Sequence, residues 1–207
     1  MVTQSGSEIS SSNTGNRIGI FGGTFDPVHV GHIIVALYAL EHLSLDLLLI
    51  VPSYNPPHKK PSAPFEKRYE WLKRVFKGVE RIEVSDFERE RGGTSYTIYT
   101  VEHFASLYRT RPYFIVGEDA LSYIEKWYRY REILEKVTLV VYPRFCGKPF
   151  HLHAQEVLGS LEGIIFLEMP LIQISSSEIR ERIKAGKSVK GFVPEEIRAE
   201  VEEFYAV

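Results

Sequence analysis

The sequence predicts a doubly wound α/β fold with a mostly parallel sheet and a small helical C-terminal part. Three observations predict it. Apolar stretches of strand length alternate with longer stretches of helical spacing, the pattern of a sheet wrapped by helices on both faces. Leu45–Val51 is apolar almost throughout, as a strand must be when both of its faces are covered. Beyond Ser175 only helical patterns follow.

Taken in order, Arg17–Phe21 reads as a short strand ended by the Gly22-Gly23 break. Val30–Leu43 carries Ile33, Leu37 and Leu40 at helical spacing, with Ile34 and Ala36 beside them. The strand Leu45–Val51 leads into Pro52–Pro64, whose five prolines in thirteen residues exclude regular structure. Phe65–Lys77 is helix-like and Arg81–Ser85 strand-like. A Gly92-Gly93 loop precedes a helix at Ser95–Tyr108, and Pro112–Val116 is the next strand. Helical stretches are expected at Asp119–Ile124, Tyr128–Glu135 and His153–Leu158, with strands at Val137–Tyr142 and Gly163–Leu167. Helices Ser175–Ala185 and Pro194–Phe204 close the chain. In such a sheet, ligands lie beyond the carboxyl ends of the strands.

With 207 residues, 44% of them apolar and 25% charged, the chain can bury the core of one domain. The domain is expected over residues 17–207. Met1–Asn16, rich in Ser, Gly, Asn and Thr, reads as a disordered N-terminal extension and has no secretory-signal pattern. A net charge of −2 and no basic patch interleaved with aromatics argue against nucleic acid. Any phosphate must then be held by a local site. No apolar run approaches the roughly 20 residues that span a bilayer, so no membrane partner is expected. Cys146 is the single cysteine, which rules out an intramolecular disulfide and fits a cytoplasmic location. The sequence leaves a homo-oligomer open.

Gly22-Gly23-Thr24-Phe25-Asp26-Pro27-Val28-His29-Val30-Gly31-His32 stands between the first strand and the first helix, at the ligand edge of the sheet. Gly22 and Gly23 permit backbone shapes that side chains forbid. A helix N-terminus offers unpaired N–H groups and partial positive charge to a phosphate. His29 and His32 are spaced to share one face, and Gly31 leaves room for a nucleotide. Neither a Walker A loop nor a dinucleotide fingerprint is present. Near the other end, Ile174-Ser175-Ser176-Ser177-Glu178-Ile179-Arg180 starts a helix, with Ser175 and Glu178 spaced for a capping box. Its free N–H groups would make a second anion site, with Arg180 adding a fixed charge.

Gly-Thr-Phe-Asp-Pro-Val-His-x-Gly-His resembles the signature of the adenylyltransferase and cytidylyltransferase superfamily, and Ile174–Arg180 resembles its Ile-Ser-Ser/Thr-x-x-x-Arg element. Four stretches between them resemble the bacterial type of nicotinate-mononucleotide adenylyltransferase. They are Pro56-Pro57-His58-Lys59, Ser95-Tyr96-Thr97, Phe114–Asp119 and Lys126-Trp127-Tyr128. The resemblance spans Arg17 to about Tyr205 and implies a Rossmann-like nucleotidyltransferase fold. Two departures from the pattern fall in the acceptor loops: Pro52-Ser53-Tyr54-Asn55, and Gly93-Thr94 before Ser95.

The resemblance implies adenylyl transfer from ATP to nicotinate mononucleotide, giving the dinucleotide and pyrophosphate in NAD biosynthesis. It implies catalytic roles for His29, His32 and Arg180. ATP would be bound by Gly22, Gly23, Thr24, Phe25, Gly31, Gly117, Asp119, Ile174, Ser175 and Ser176. The mononucleotide would meet Tyr96, Thr97, Trp127, Tyr128, Lys59 and Arg144, with the pyridine stacked on Trp127 and its carboxylate on the main-chain amides of Thr97 and Tyr128. Mg²⁺ is expected as a cofactor bound through the ATP phosphates, with no metal site of the protein's own. Two alternatives remain open: another transferase of the superfamily, acting on pantetheine phosphate or a polyol or choline phosphate, and a nucleotide-binding sensor without catalysis.

Overall fold

In the computed structural model the described residues are 16–121, 123–144, 155, 156, 158, 159 and 162–206. Cys146, Met1–Gly15 and most of the helix expected at His153–Leu158 lie outside them. The elements run β1 (Ile18–Gly23), α1 (Val30–His42), β2 (Leu47–Pro52), α2 (Phe65–Val75), β3 (Ile82–Val84), α3 (Phe87–Arg91) and α4 (Thr97–Tyr108). After these come β4 (Tyr113–Gly117), α5 (Glu118–Leu121), a 3₁₀ turn (Ile124–Lys126), α6 (Tyr130–Lys136), β5 (Thr138–Tyr142) and β6 (Ile164–Phe166). The chain's last helices are α7 (Ser176–Lys184) and α8 (Glu195–Tyr205).

The sheet has the order β3-β2-β1-β4-β5-β6, and every pairing is parallel. This is the doubly wound arrangement the sequence predicts. Its strand order reverses between β1 and β4, which opens a crevice at their carboxyl ends. Side chains along β2 alternate between two cores, as strand geometry requires. Leu48 and Ile50 face α1, α2, α7 and α8, while Leu49 and Val51 face α4 and α6. Both faces are thus dry, which explains the near-continuous apolar run of this strand.

The structure departs from the expected elements in three places. The first strand does not stop at Phe21. Gly22 and Gly23 remain extended and pair with Val51 and Pro52, so the anticipated break lies further on. The helix expected from Ser95 begins at Thr97. Ser95 is held by a reciprocal pair of bonds to the proline-rich loop: its N–H donates to the Asn55 carbonyl at 2.9 Å, and its Oγ accepts from Asn55 N–H at 2.8 Å. Finally, α3 was not anticipated, because Phe-Glu-Arg-Glu-Arg has no apolar repeat and no buried side chain.

Arg68 on α2 joins the loops at the crevice. Its side chain is almost fully buried and donates to three carbonyls, of Ala63 at 3.0 Å, Thr24 at 2.7 Å and Ser53 at 2.9 Å. One guanidinium fork thereby fixes the exits of β1 and β2 and the end of the proline-rich loop. Removing it leaves three carbonyls without these donors, so Arg68→Met should lower unfolding stability by about 3 kcal/mol. Chemical denaturation would check this. A loss below about 1 kcal/mol would mean that water replaces the fork without cost.

Candidate active site

Helix α1 starts without a Ser, Thr or Asp cap. Its N-cap is His29, extended at φ −142° and ψ 170°. The His29 backbone N–H donates to Nδ1 of His32 at 3.2 Å, and the two rings stack with centroids 3.7 Å apart. Because Nδ1 of His32 accepts, a neutral His32 ring carries its proton on Nε2, as a donor. Nδ1 of His29 is buried and has no hydrogen-bond partner among the described residues. Phe25 closes the stack from one side, its ring edge-on to His32 with centroids 4.9 Å apart.

The glycines act differently from the sequence expectation. Gly22 and Gly23 adopt no left-handed backbone. The residue with positive φ here is Phe25, at 52°, a conformation that L side chains adopt at some energetic cost. Gly23 supplies clearance, because a Cβ there would come within 3.0 Å of the Phe25 ring. A Cβ on Gly31 would lie 3.0 Å from Nδ1 of His29. The room that Gly31 provides therefore serves the histidine stack as well as the cleft beyond it.

At the second motif, the hydroxyl of Ser175 accepts from Glu178 N–H at 3.1 Å and caps α7. Ser176 Oγ donates to the Pro27 carbonyl at 2.8 Å, which fastens this helix to the first loop. The two ends of the sequence thus share one cleft of about 200 Å³, where His29, His32, Arg144, Lys59 and Ser175–Ser177 converge. Arg144 donates to the carbonyls of Ile172 and Ile174, at 3.1 and 3.0 Å. Arg144 and Lys59, expected with the mononucleotide, stand instead beside the histidines. Arg180 is not on the wall of this cleft. Its guanidinium donates to the Asp26 carbonyl at 2.6 Å and to Ser177 Oγ at 3.2 Å.

A second cleft of about 360 Å³ adjoins the first, within the range of small-ligand pockets. Gly22, Gly23 and Thr24 form part of its wall, together with Thr97 and Trp127. Asp119 and Tyr142 line both clefts. Gly117 ends β4 directly beneath them, where a Cβ would lie 2.4 Å from an Asp119 carboxylate oxygen. Trp127 is braced edge-on by Phe114, with centroids 6.2 Å apart. Beside it, Tyr96, Thr97 and Tyr128 line a smaller recess with Pro57 and His58. Thr97 is the first residue of α4, where a backbone N–H has no partner inside the helix.

Residues 20–182 match the cytidylyltransferase-like family model. The chain is 69% identical over 201 residues to a probable nicotinate-nucleotide adenylyltransferase of Thermotoga maritima, covering 97% of this chain and 98% of the relative. A counterpart of the same name in Pseudothermotoga lettingae is 55% identical, covering 94% of this chain and the whole of the relative. The chain belongs to the nicotinate-nucleotide adenylyltransferases of the cytidylyltransferase-like family. Among solved structures, the nicotinic acid mononucleotide adenylyltransferase of Plasmodium falciparum complexed with NaAD has the same fold. Its TM-score is 0.74 at 17% identity, over 92% of this chain and 95% of that one.

Within this family frame, several residues that carry the site were not singled out from sequence. Asp26 sits inside the first motif, yet its carboxylate turns away from the cleft. It accepts from the N–H groups of Ser62 and Ala63 at 2.8 and 2.9 Å, and from the Tyr205 hydroxyl at 2.6 Å. Glu88, from the unanticipated α3, reaches the second cleft, where it accepts from Tyr54 N–H at 3.0 Å and Thr100 Oγ1 at 3.1 Å. Glu118 accepts from Arg144 N–H at 3.1 Å. Asp26 and Glu118 had a sequence signal, one between Phe25 and Pro27 and the other within Phe114–Asp119, whereas Glu88 had none.

Burial pushes the His29 pKa down to about 3, aided by the positive charge of Arg144. His32 is held well below the ordinary range by burial, then by His29 and Arg144. Both rings are therefore neutral donors or acceptors at pH 7. The unfolded chain binds these protons near pH 6.5 and the folded chain does not. Their contribution to stability is thus complete above pH 6.5 and falls away as pH drops toward 3. NMR titration of the free protein should show neither ring protonating between pH 7 and 5. A midpoint near 6.5 for either would contradict the buried, neutral pair.

Proposed function

We propose that this enzyme transfers the adenylyl group of ATP to nicotinate mononucleotide, producing nicotinate adenine dinucleotide and pyrophosphate. The observation that carries the reading is the pair of adjoining clefts that share Asp119 and Tyr142. One is lined by imidazole, guanidinium, ammonium and serine groups suited to a triphosphate. The other is lined by indole and backbone groups suited to a flat acceptor. The names of relatives at 69% and 55% identity support the same substrates.

In this proposal the 5′-phosphate of the mononucleotide attacks the α-phosphorus in line, and pyrophosphate leaves. A phosphate monoester already carries about −1.5 to −2 at pH 7, so no general base is required. The protein's task is to hold two anions together and to stabilise charge on the leaving group. His32 presents an N–H at Nε2 to the phosphates without adding a cation to those of Arg144 and Lys59. His29, neutral as well, lines the same cleft. Incoming negative charge raises both pKa values, so either ring gains a proton more readily as charge builds. Ser175, Ser176 and the first turn of α7 address the β- and γ-phosphates, with Arg180 close behind. Asp119 would take a ribose hydroxyl, as acidic residues do in other nucleotide folds.

Mg²⁺ is part of the proposal, arriving on the triphosphate. Such an ion prefers oxygen donors and retains several waters. The cleft fits that need, with Asp119 the acidic residue on the wall common to both compartments. Bound there, it would neutralise charge on the phosphates. We also place the enzyme in the cytoplasm, a reading supported by its single cysteine. Among the described residues no helix is long and apolar enough to cross a membrane.

The deciding experiment compares nicotinate and nicotinamide mononucleotides with ATP and Mg²⁺, following pyrophosphate release. The acid should be preferred, because main-chain donors at Thr97 and Tyr128 suit a carboxylate, and His32→Ala should lower turnover at least about tenfold while the fold persists. Equal rates for acid and amide would overturn the acceptor reading, and a fully active His32→Ala variant the phosphate assignment. Trp127→Ala should raise the KM for the mononucleotide about five- to tenfold with little change in that for ATP. Equal changes in both would rule out stacking on the indole.

A further inference from the structure

Asp26 is 1% exposed, and its carboxylate is held by donors from distant parts of the chain. The N–H groups of Ser62 and Ala63 come from the proline-rich loop that carries Lys59. The Tyr205 hydroxyl comes from the last turn of α8. Among the described residues the cation paired with it is Arg180, whose guanidinium lies 3.7 Å from Oδ2 and donates to the backbone carbonyl of the same residue at 2.6 Å. Tyr205 is itself buried, its ring against Trp71 and Phe204. It touches neither cleft.

We infer that Tyr205 is a positioning residue for ATP turnover, acting through Asp26 on Arg180. This rests on the reading that Arg180 serves the triphosphate. A buried carboxylate must have its lone pairs matched by donors. With the Tyr205 hydroxyl in place, Oδ1 is satisfied by Ala63 and Tyr205, and Oδ2 by Ser62. Arg180 then touches the carboxylate only at 3.7 Å and makes its short bond to the main-chain oxygen. Without that hydroxyl, Oδ1 loses one of its two donors inside a dry site, and the closest charge able to compensate is Arg180. The guanidinium is drawn onto the carboxylate and away from the phosphates. Helix α8 therefore does more than cover the core. It completes the electrostatic balance that leaves Arg180 available.

The test is Tyr205→Phe, which removes one oxygen and keeps the ring packed against Trp71. Both Kd and KM for ATP should rise about fivefold, with the KM for the mononucleotide within about twofold of the parent. Binding is measured with Mg-ATP alone, well below the variant's own melting midpoint, so that a loss of stability does not enter. In an Arg180→Ala background the same substitution should produce no further change in ATP affinity. A Tyr205→Phe variant with unchanged ATP affinity, with equal changes for both substrates, or with effects that simply add to those of Arg180→Ala would overturn the inference. If the parent enzyme binds ATP but does not turn over the mononucleotide, the functional reading fails instead, and the ATP-affinity comparison still decides the role of Tyr205.

Discussion

The burial of the Asp26 carboxylate is the constraint on which the site depends. A charge removed from water must be surrounded by donors, or its desolvation destabilises the fold by several kcal/mol. Here those donors come from residues 62–63 and 205, with Arg180 close by. Satisfying one side chain thereby brings the first loop, the proline-rich loop, α7 and α8 to the same place. Arg68 repeats the logic with opposite polarity, binding the carbonyls of Thr24, Ser53 and Ala63. Between them, a buried anion and a buried cation hold in place the loops from which Lys59, Thr24 and Ser53 reach the clefts. Neither needs to touch a substrate to do so.

The sheet supplies the other half of the geometry. Reversal of strand order between β1 and β4 leaves their carboxyl ends without a crossing connection. The histidine-bearing turn follows one of these strands, and Asp119 follows the other. Their convergence is a consequence of topology, and the loops only refine it. That is why residues almost ninety positions apart line a common wall.

Much of this was legible in the sequence, for identifiable reasons. Strands such as Leu47–Pro52 are buried on both faces, so they announce themselves as apolar runs. The two ends proposed to bind phosphates are short, local motifs whose chemistry lies within a few residues. What escaped detection depends on distant contacts. Helix α3 has no buried face to generate a periodic pattern. The start of α4 is set by Asn55, forty residues earlier. Arg144 and Lys59 were legible as ligand-binding candidates and expected with the mononucleotide, but the cleft each one lines depends on carbonyls of Ile172 and Ile174 and on the path of a proline-rich loop. Tyr205 carried no signal, since its partner lies 179 residues away.

The electrostatics of the free site follow from the same packing. Arg144 and Lys59 line the cleft proposed for the triphosphate, Arg180 stands behind it, and the Lys59 pKa is lowered by its burial and then by Arg180. Two further cations in that space would repel strongly at short range. Burial keeps His29 and His32 neutral, so the cleft offers hydrogen-bond donors without adding that repulsion. In the proposed reaction, the charge of an entering triphosphate would favour protonation of the same rings. A site built in this way does not carry its full positive charge before the ligand arrives. Stacking at 3.7 Å links the two rings, so a proton gained by one raises the cost of protonating the other. The pair therefore responds to ligand charge as one unit, and its glycine neighbour Gly31 is what permits the rings to lie so close to the helix.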